Sequence, residues 1–304
     1  MELYFLGTGA GMPSKERNVT AAALTLYEER GTAWLFDCGE GTQHQMLKSP
    51  LKASRLEFIF ITHLHGDHIY GLPGLLTSRS NQGGTTPLTL FGPPGLEALL
   101  EPVLRLSQAH LSYELAYVEV AEGVVFADEQ FEVICAKLDH RIDSYGYRIV
   151  QRDRPGKLDA AKLRALGISP GPLFGQLKRG EAVTMPDGTR IDGAAFIGPP
   201  IPGKKIVILG DTRKCGAAVN LAADADVLVH EATFDSTLHE LALAYYHSTA
   251  SDAAETARAA GARVLILTHI SSRYQEDQAA VLLEQARELF PSTWLSRDHW
   301  TFAI

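Results

Sequence analysis

Four runs of apolar residues stand out along the chain because they do not alternate with polar ones: Phe58-Ile59-Phe60-Ile61, Ile206-Val207-Ile208-Leu209, Val227-Leu228-Val229 and Val264-Leu265-Ile266-Leu267. Unbroken runs this short, rich in β-branched and aromatic residues, predict strands covered on both faces. A polar residue stands just beyond each: His63 past Thr62, Asp211 past Gly210, Glu231 past His230 and His269 past Thr268. Strand ends that meet on one rim are where α/β proteins assemble their sites.

The front of the chain predicts short strands over 3–6, 22–27, 33–36 and 88–91, a helix starting near Pro73, a helix over 96–106 and a hairpin over 124–126 and 131–134. Behind, strands ending at Leu209, Val229 and Leu267 alternate with helices over 251–260 and 276–289. A mixed sheet followed by strand–helix alternation predicts two sheets covered outside by helices. Between 150 and 204 the rhythm fails. Pro155-Gly156, Pro170-Gly171-Pro172, Gly175, Gly180, Pro186-Asp187-Gly188 and Pro199-Pro200 leave room for one short helical piece near 158–166. On composition alone this is a surface insertion.

The first run leads into His63-Leu64-His65-Gly66-Asp67-His68. In extended backbone His63 and His65 face one side, and Gly66 permits a turn that brings Asp67 and His68 back beside them. Imidazole and carboxylate without cysteine suit a borderline divalent ion such as zinc, in a site kept open for water. That composition points to catalysis.

Length and composition fit a soluble globular protein with a substantial core. Residues 1–7 lack the basic leader of a signal peptide, and no run reaches transmembrane length. Cys38, Cys135 and Cys215 are too few and too far apart for a disulfide framework, which argues for a reducing cytoplasm. The formal net charge is −8, a balance that disfavours a polyanionic partner until its distribution is read. Residues 151–190 carry eight basic and four acidic side chains, so a +4 segment sits on a −12 remainder.

Taken together, these motifs resemble the metallo-β-lactamase superfamily and, within it, ribonuclease Z, nearly end to end. Phe36-Asp37-Cys38-Gly39-Glu40-Gly41, the 63–68 motif, His140, Asp211 and His269 carry the superfamily likeness. Pro13-Ser14-Lys15-Glu16-Arg17-Asn18, His230-Glu231-Ala232-Thr233, His247-Ser248-Thr249 and Thr268-His269-Ile270-Ser271 carry the narrower one. The resemblance implies an α/β fold, an αββα sandwich forming a single domain over 1–304, with a protruding, flexible substrate-binding arm inserted at about 151–200. It implies two zinc ions per subunit, or manganese or another divalent ion in their place. His63, His65 and His140 would hold one, Asp67, His68 and His269 the other, and Asp211 would bridge.

It further implies Asp67 as general base, and Glu231 paired with His247 to help protonate the leaving oxygen. Asp37 would receive an imidazole N–H and orient that ring, although a helix-capping or strand-end turn role suits it almost as well. Lys15, Arg17 and Asn18 would meet the acceptor end of the substrate, and Gly171, Pro172, Lys178 and Arg179 its elbow. The implied activity is removal of the 3′ trailer from precursor tRNA, leaving a 3′ hydroxyl, by a cytoplasmic homodimer without a membrane partner. Rival readings are a hydrolase of small esters, thioesters or lactones on the same fold and a non-catalytic RNA-binding relative. The branch with an extra domain between its last ligands lacks room here, since two strands and a helix fill the stretch between Asp211 and His269.

Overall fold

Successive side chains on a strand point to opposite faces, and in the first sheet they are sorted by kind. Trp34, Phe36, Phe58 and Phe60 form a layer of touching rings, while Ala33, Leu35 and Ile59 join the aliphatic core on the other side. The computed structural model describes residues 1–185 and 188–304. In it the first sheet runs in the order Thr301–Ala303, Glu2–Gly7, Ala21–Leu26, Thr32–Phe36, Leu56–Phe60, Leu88–Gly92, Leu115–Glu119. The second runs Thr293–Leu295, Leu265–Thr268, Val227–Glu231, Lys205–Leu209, Tyr145–Gln151, Phe131–Lys137, Gly123–Ala127.

The aromatic layer joins the two sheets. Phe60 stacks on Phe36 at 5.1 Å and on Phe91 at 4.7 Å, and meets Tyr147 of the second sheet at 5.2 Å. Phe126, on the outermost strand of the second sheet, lies 4.7 Å from Phe58. The outer face of the first sheet is covered by helices Leu72–Asn81 and Leu96–Leu106, which bury Leu72, Leu75, Leu76, Leu96 and Leu100. Helices Gly216–Leu221, Ala250–Ala259 and Ala280–Leu289 cover the second, where Ala250, Ala253, Ala254 and Ala257 let one helix approach the strands closely. This is the αββα sandwich. The predicted helix over 276–289 is split into a 3-10 turn, Glu276–Ala279, and the α-helix Ala280–Leu289.

Parallel pairing aligns the strand ends that carry chemistry. Lys205–Leu209, Val227–Glu231 and Leu265–Thr268 run parallel, with Ile208 opposite Val229 and Glu231 opposite Thr268. In the first sheet Phe36 is opposite Phe60, so Asp37 emerges beside Thr62. The three cysteines are free. Among the described residues, no helix is long and apolar enough to cross a membrane.

The chain divides into two compact units: Met1–Ala127 with Val133–Ile149 and Lys205–Ile304, and Asp128–Glu132 with Val150–Lys204. The second contains more structure than its Pro/Gly punctuation predicts. Helix Ala160–Ala165 begins at Asp159, whose carboxylate accepts from the Lys162 backbone N–H, and a second helix, Pro172–Lys178, places Pro172 in its first turn. An antiparallel pair, Ala182–Thr184 and Arg190–Asp192, follows. Leu163, Ile168, Leu177, Val183 and Ile191 form this unit's own core. Of the predicted turn Pro186-Asp187-Gly188, the first two residues lie outside the described residues.

Phe60 touches rings in both sheets, so Phe60→Ala is expected to cost about 3–5 kcal/mol of stability. Leu106→Ala, at an exposed position, should stay within about 0.5 kcal/mol. Chemical denaturation of both variants checks this; equal small losses would mean that the ring layer is not what chiefly holds the sheets together.

Candidate metal centre

The rim where these strands end collects all seven residues read as ligands. His65 Nδ1 lies 3.1 Å from His63 Nε2 and 3.3 Å from His140 Nε2. His68 Nε2 and His269 Nε2 are 3.3 Å apart, with Asp67 Oδ2 3.4 and 3.3 Å from them. Both expected ligand groups form, one of His63, His65, His140 and Asp211, the other of Asp67, His68 and His269, and a third grouping, Asp211 with His247 and His269, overlaps them. Asp211 Oδ2 reaches both, at 3.6 Å from His63 Nε2 and 3.3 Å from His269 Nε2. His65 is the extended residue preceding the short helix Gly66–Ile69, and that helix start makes the turn that raises Asp67 and His68. Gly66 does not need a left-handed conformation for this turn; it packs against Tyr70, whose exposed ring would have to move aside for a Cβ placed 2.2 Å from it.

What aims these imidazoles is a set of bonds on their far side, which sequence patterns do not reveal, Asp37 excepted. His68 Nδ1 donates to Asp37 Oδ2 at 2.8 Å, and His140 Nδ1 to the Tyr246 carbonyl at 2.8 Å. His63 Nδ1 donates to Thr62 Oγ1, whose own proton goes to Asp37 Oδ2 at 2.9 Å. His269 Nδ1 donates to Thr233 Oγ1, whose proton goes to Glu231 Oε2 at 2.6 Å. Each of these four histidines is thus held by an acceptor on its outer nitrogen, as metal-binding histidines are. Asp37, His269 and Tyr246 have φ of 57°, 56° and 63°, left-handed conformations that their bonding partners hold in place.

Four Nε2 atoms, those of His63, His68, His140 and His269, are thereby turned toward one another and toward the carboxylates of Asp67 and Asp211. Such a cluster, edged by two carboxylates, is repulsive among its nitrogens and attractive to cations, so the donor set fits borderline divalent metal.

Glu231, fully buried, accepts four bonds: Oε1 from Thr212 N and His247 Nδ1, Oε2 from Ser248 N and Thr233 Oγ1. Burial alone would raise its pKa, but the facing His247 charge outweighs it and holds the carboxyl below its ordinary range. Burial alone would likewise lower the His247 pKa; the Glu231 carboxylate 2.9 Å away reverses this and raises it to about 9. His247 stands just ahead of the Thr249 capping box that starts helix Ala250–Ala259. It borders a cleft of about 300 Å³ that also exposes His65, Asp67, Asp211 and His269 beside Phe234, Tyr245 and Arg273. The last three escape sequence reading because an isolated aromatic or arginine carries no spacing signal.

Of the substrate residues expected in the 13–18 turn, only Lys15 is freely exposed. Arg17 Nη1 instead turns inward and donates to Thr8 Oγ1 and the Ser296 carbonyl, both at 2.7 Å. Asn18 Nδ2 donates to the Glu40 carbonyl at 2.8 Å. In the second unit Gly171 precedes helix Pro172–Lys178 and Lys178 is exposed. Arg179 is bonded to the Glu181 carboxylate at 2.6 Å.

Residues 1–150 match the family model described as anti-Pycsar protein Apyc1. Over 304 residues the chain is 57% identical to ribonuclease Z of Geobacillus kaustophilus, spanning 100% of this chain and 99% of that one. With ribonuclease Z of Bacillus licheniformis the identity is 54%, over the same shares. The chain belongs to the ribonuclease Z family.

Its fold matches the crystal structure of the short form of human tRNase Z with a TM-score of 0.72 and 32% identity, covering 100% of this chain and 99% of that one. The metallo-beta-lactamase fold protein YhfI of Bacillus subtilis shares the fold alone, at a TM-score of 0.67 and 16% identity over 99% and 98% of the two chains. In this ribonuclease Z family member the hydroxyl relays are open to test. Thr62→Val removes the link between Asp37 and His63, and metal affinity by chelator competition should fall about 10–100-fold. Unchanged affinity in the folded variant would mean that His63 is held by its packing instead.

Proposed function

We propose that this chain is a metal-dependent endoribonuclease that cuts precursor tRNA at the start of its 3′ trailer, leaving a 3′ hydroxyl on the tRNA, and that it works as a cytoplasmic homodimer. The observation that carries the reading is the doubled ligand cluster with His247 beside it, in a chain 57% identical to a ribonuclease Z over its full length. Two zinc ions are proposed, the first on His63, His65 and His140, the second on Asp67, His68 and His269, with Asp211 shared. When bound, such ions supply Lewis acidity toward water and toward the phosphodiester.

The remaining work falls to side chains. Asp67, at the open edge of the cluster, would accept the proton of the attacking water. As the bond between phosphorus and the 3′ oxygen breaks, the departing oxygen needs a proton. His247 spends Nδ1 on Glu231, so Nε2 is the nitrogen left to deliver it. Tyr245 offers an exposed ring at the cleft for a flanking base, and Lys15 an exposed charge for phosphate.

The test is a 3′-extended precursor tRNA, with product ends mapped and metal measured on the same sample. Cleavage leaving a 3′ hydroxyl on the tRNA is expected, and no cleavage alongside turnover of small esters would reject the nuclease reading. Asp67→Ala should lower turnover by several orders of magnitude in a folded protein. His247→Ala should slow cleavage about 10²–10⁴-fold with its metal content intact. Loss of a stoichiometric ion from the His247 variant would make that residue a ligand, as its grouping with Asp211 and His269 also allows.

Residues 151–190 of the second unit are proposed as the tRNA-gripping arm, on their excess of basic residues and because no residue assigned to the metals lies within them. Arg154 and Ile201 pair through two backbone bonds of 2.9 Å, so 155–200 can be replaced by a short Gly/Ser linker at that bridge. Precursor tRNA cleavage should weaken strongly while a small phosphodiester is still hydrolysed, because only the large substrate uses remote binding energy. The salt dependence of tRNA binding should flatten by about one unit of slope for each phosphate no longer neutralised by the arm. Equal loss of both activities would make the segment a support of the catalytic unit.

A further inference from the structure

Asp298, near the end of the chain, is far in sequence from every residue assigned so far, yet its half-buried carboxylate is a hub. Oδ1 accepts from Thr8 Oγ1 at 2.8 Å; Oδ2 accepts from the Asn18 backbone N–H at 2.7 Å and from Gln45 Nε2 at 2.8 Å. Thr8 Oγ1 in turn accepts from Arg17 Nη1, so hydroxyl and guanidinium form a line onto the carboxylate. Both ends of the 8–18 segment are thereby pinned to one side chain.

That segment is tied to the metal cluster at two points. The Gly11 N–H donates to Asp67 Oδ2 at 2.8 Å, the same oxygen that faces His68 and His269. The Thr8 carbonyl accepts from Ile270 N at 2.8 Å, directly after His269, and Gly9–Ala10 pairs with Ile270–Ser271 as a parallel two-stranded ladder. A displacement of Thr8 therefore moves a bond on Asp67 and the backbone beside His269 together.

We propose that Asp298 is a positioning residue for the reaction: through Thr8 and Asn18 it sets the 8–18 segment so that Gly11 holds Asp67 and Ile270 holds His269 in register for metal and water. The proposal rests on the metal-dependent hydrolase reading of this site. It differs from a general stabilising role because the affected ligands all belong to one of the two groups, that of Asp67, His68 and His269. Removing the carboxylate loosens that group and leaves His63 and His140 with their own holding bonds to Thr62 and the Tyr246 carbonyl.

The experiment compares Asp298→Asn, Thr8→Val and the double variant with the unmodified protein. Each is titrated with zinc against a chromophoric chelator and assayed with a small phosphodiester and with 3′-extended precursor tRNA. Expected are one weakened zinc site, by about 10–100-fold, and a lower kcat on both substrates with KM for the small one little changed. The double variant should lose less than the sum of the two single losses, since both single variants already remove the Thr8 to Asp298 bond. Folded variants with two unaltered zinc affinities and unaltered kcat would overturn the proposal, as would strictly additive losses or equal weakening of both sites. Should Asp298→Asn fail to fold because Arg17 loses its counter-charge, Thr8→Val alone decides by the same readouts. If the unmodified protein cleaves the small diester but not precursor tRNA, the tRNA assignment fails while the zinc titration still judges Asp298.

Discussion

The constraint on which the rest depends is the orientation of imidazole rings by the nitrogen that does not face the metal site. A histidine side chain is free to present either nitrogen and to turn about two bonds. Hydrogen bonds from Nδ1 to Asp37, Thr62, Thr233 and the Tyr246 carbonyl remove that freedom at His68, His63, His269 and His140. Only then do four Nε2 atoms meet within a few ångströms of Asp67 and Asp211. The arrangement has an electrostatic cost before any ion binds, and the depth of the surrounding core keeps the rings from relaxing away from it.

Asp37 and Glu231 make the same device twice. Each is a buried carboxylate at the end of a strand, each receives a threonine hydroxyl that itself receives an imidazole N–H, and each also takes at least one backbone N–H. They differ in what else they hold: Asp37 takes a second ligand directly, whereas Glu231 takes His247. One relay is therefore wholly structural toward the metal. The other joins a ligand to the residue proposed as proton donor, so a shift at Glu231 is felt at His269 and at His247 together.

How much of this is legible in the sequence follows from how local each signal is. The ligand run 63–68 is contiguous, and Asp211 and His269 stand just past apolar runs that could only be strands, so residue type and position together betray them. Asp37 carries a motif, but its partner Thr62 looks like the last residue of a strand, and Thr233 sits within a motif that gives it no role. A hydroxyl acquires its meaning only from the two residues that tertiary structure puts on either side of it. Arg17 reads as a cation for substrate because sequence shows charge but not direction, and the structure turns it onto Thr8 and Ser296. In the 150–204 insertion, Pro and Gly hide a second helix and a hairpin of three-residue strands, elements too short for periodicity to reveal. Asp298 has no motif at all.

The ligands come from both sheets, and this ties function back to the fold. His63, His65, Asp67 and His68 leave the first sheet after Leu56–Phe60, whereas His140, Asp211 and His269 leave the second after Phe131–Lys137, Lys205–Leu209 and Leu265–Thr268. Each of the two ligand groups contains members from both. An ion bound to either group is consequently a cross-link at the rim, working with the ring layer of Phe36, Phe58, Phe60, Phe126 and Tyr147 below it. Whatever binds the native arrangement and not the unfolded chain adds its binding free energy to stability. The aromatic layer sets the spacing at which the two rims face each other, and ions bound there would hold that spacing where packing gives way to an open, polar cleft. Substrate would then enter without loosening the sheets, because the groups lining the cleft are the same ones that bound ions would draw together.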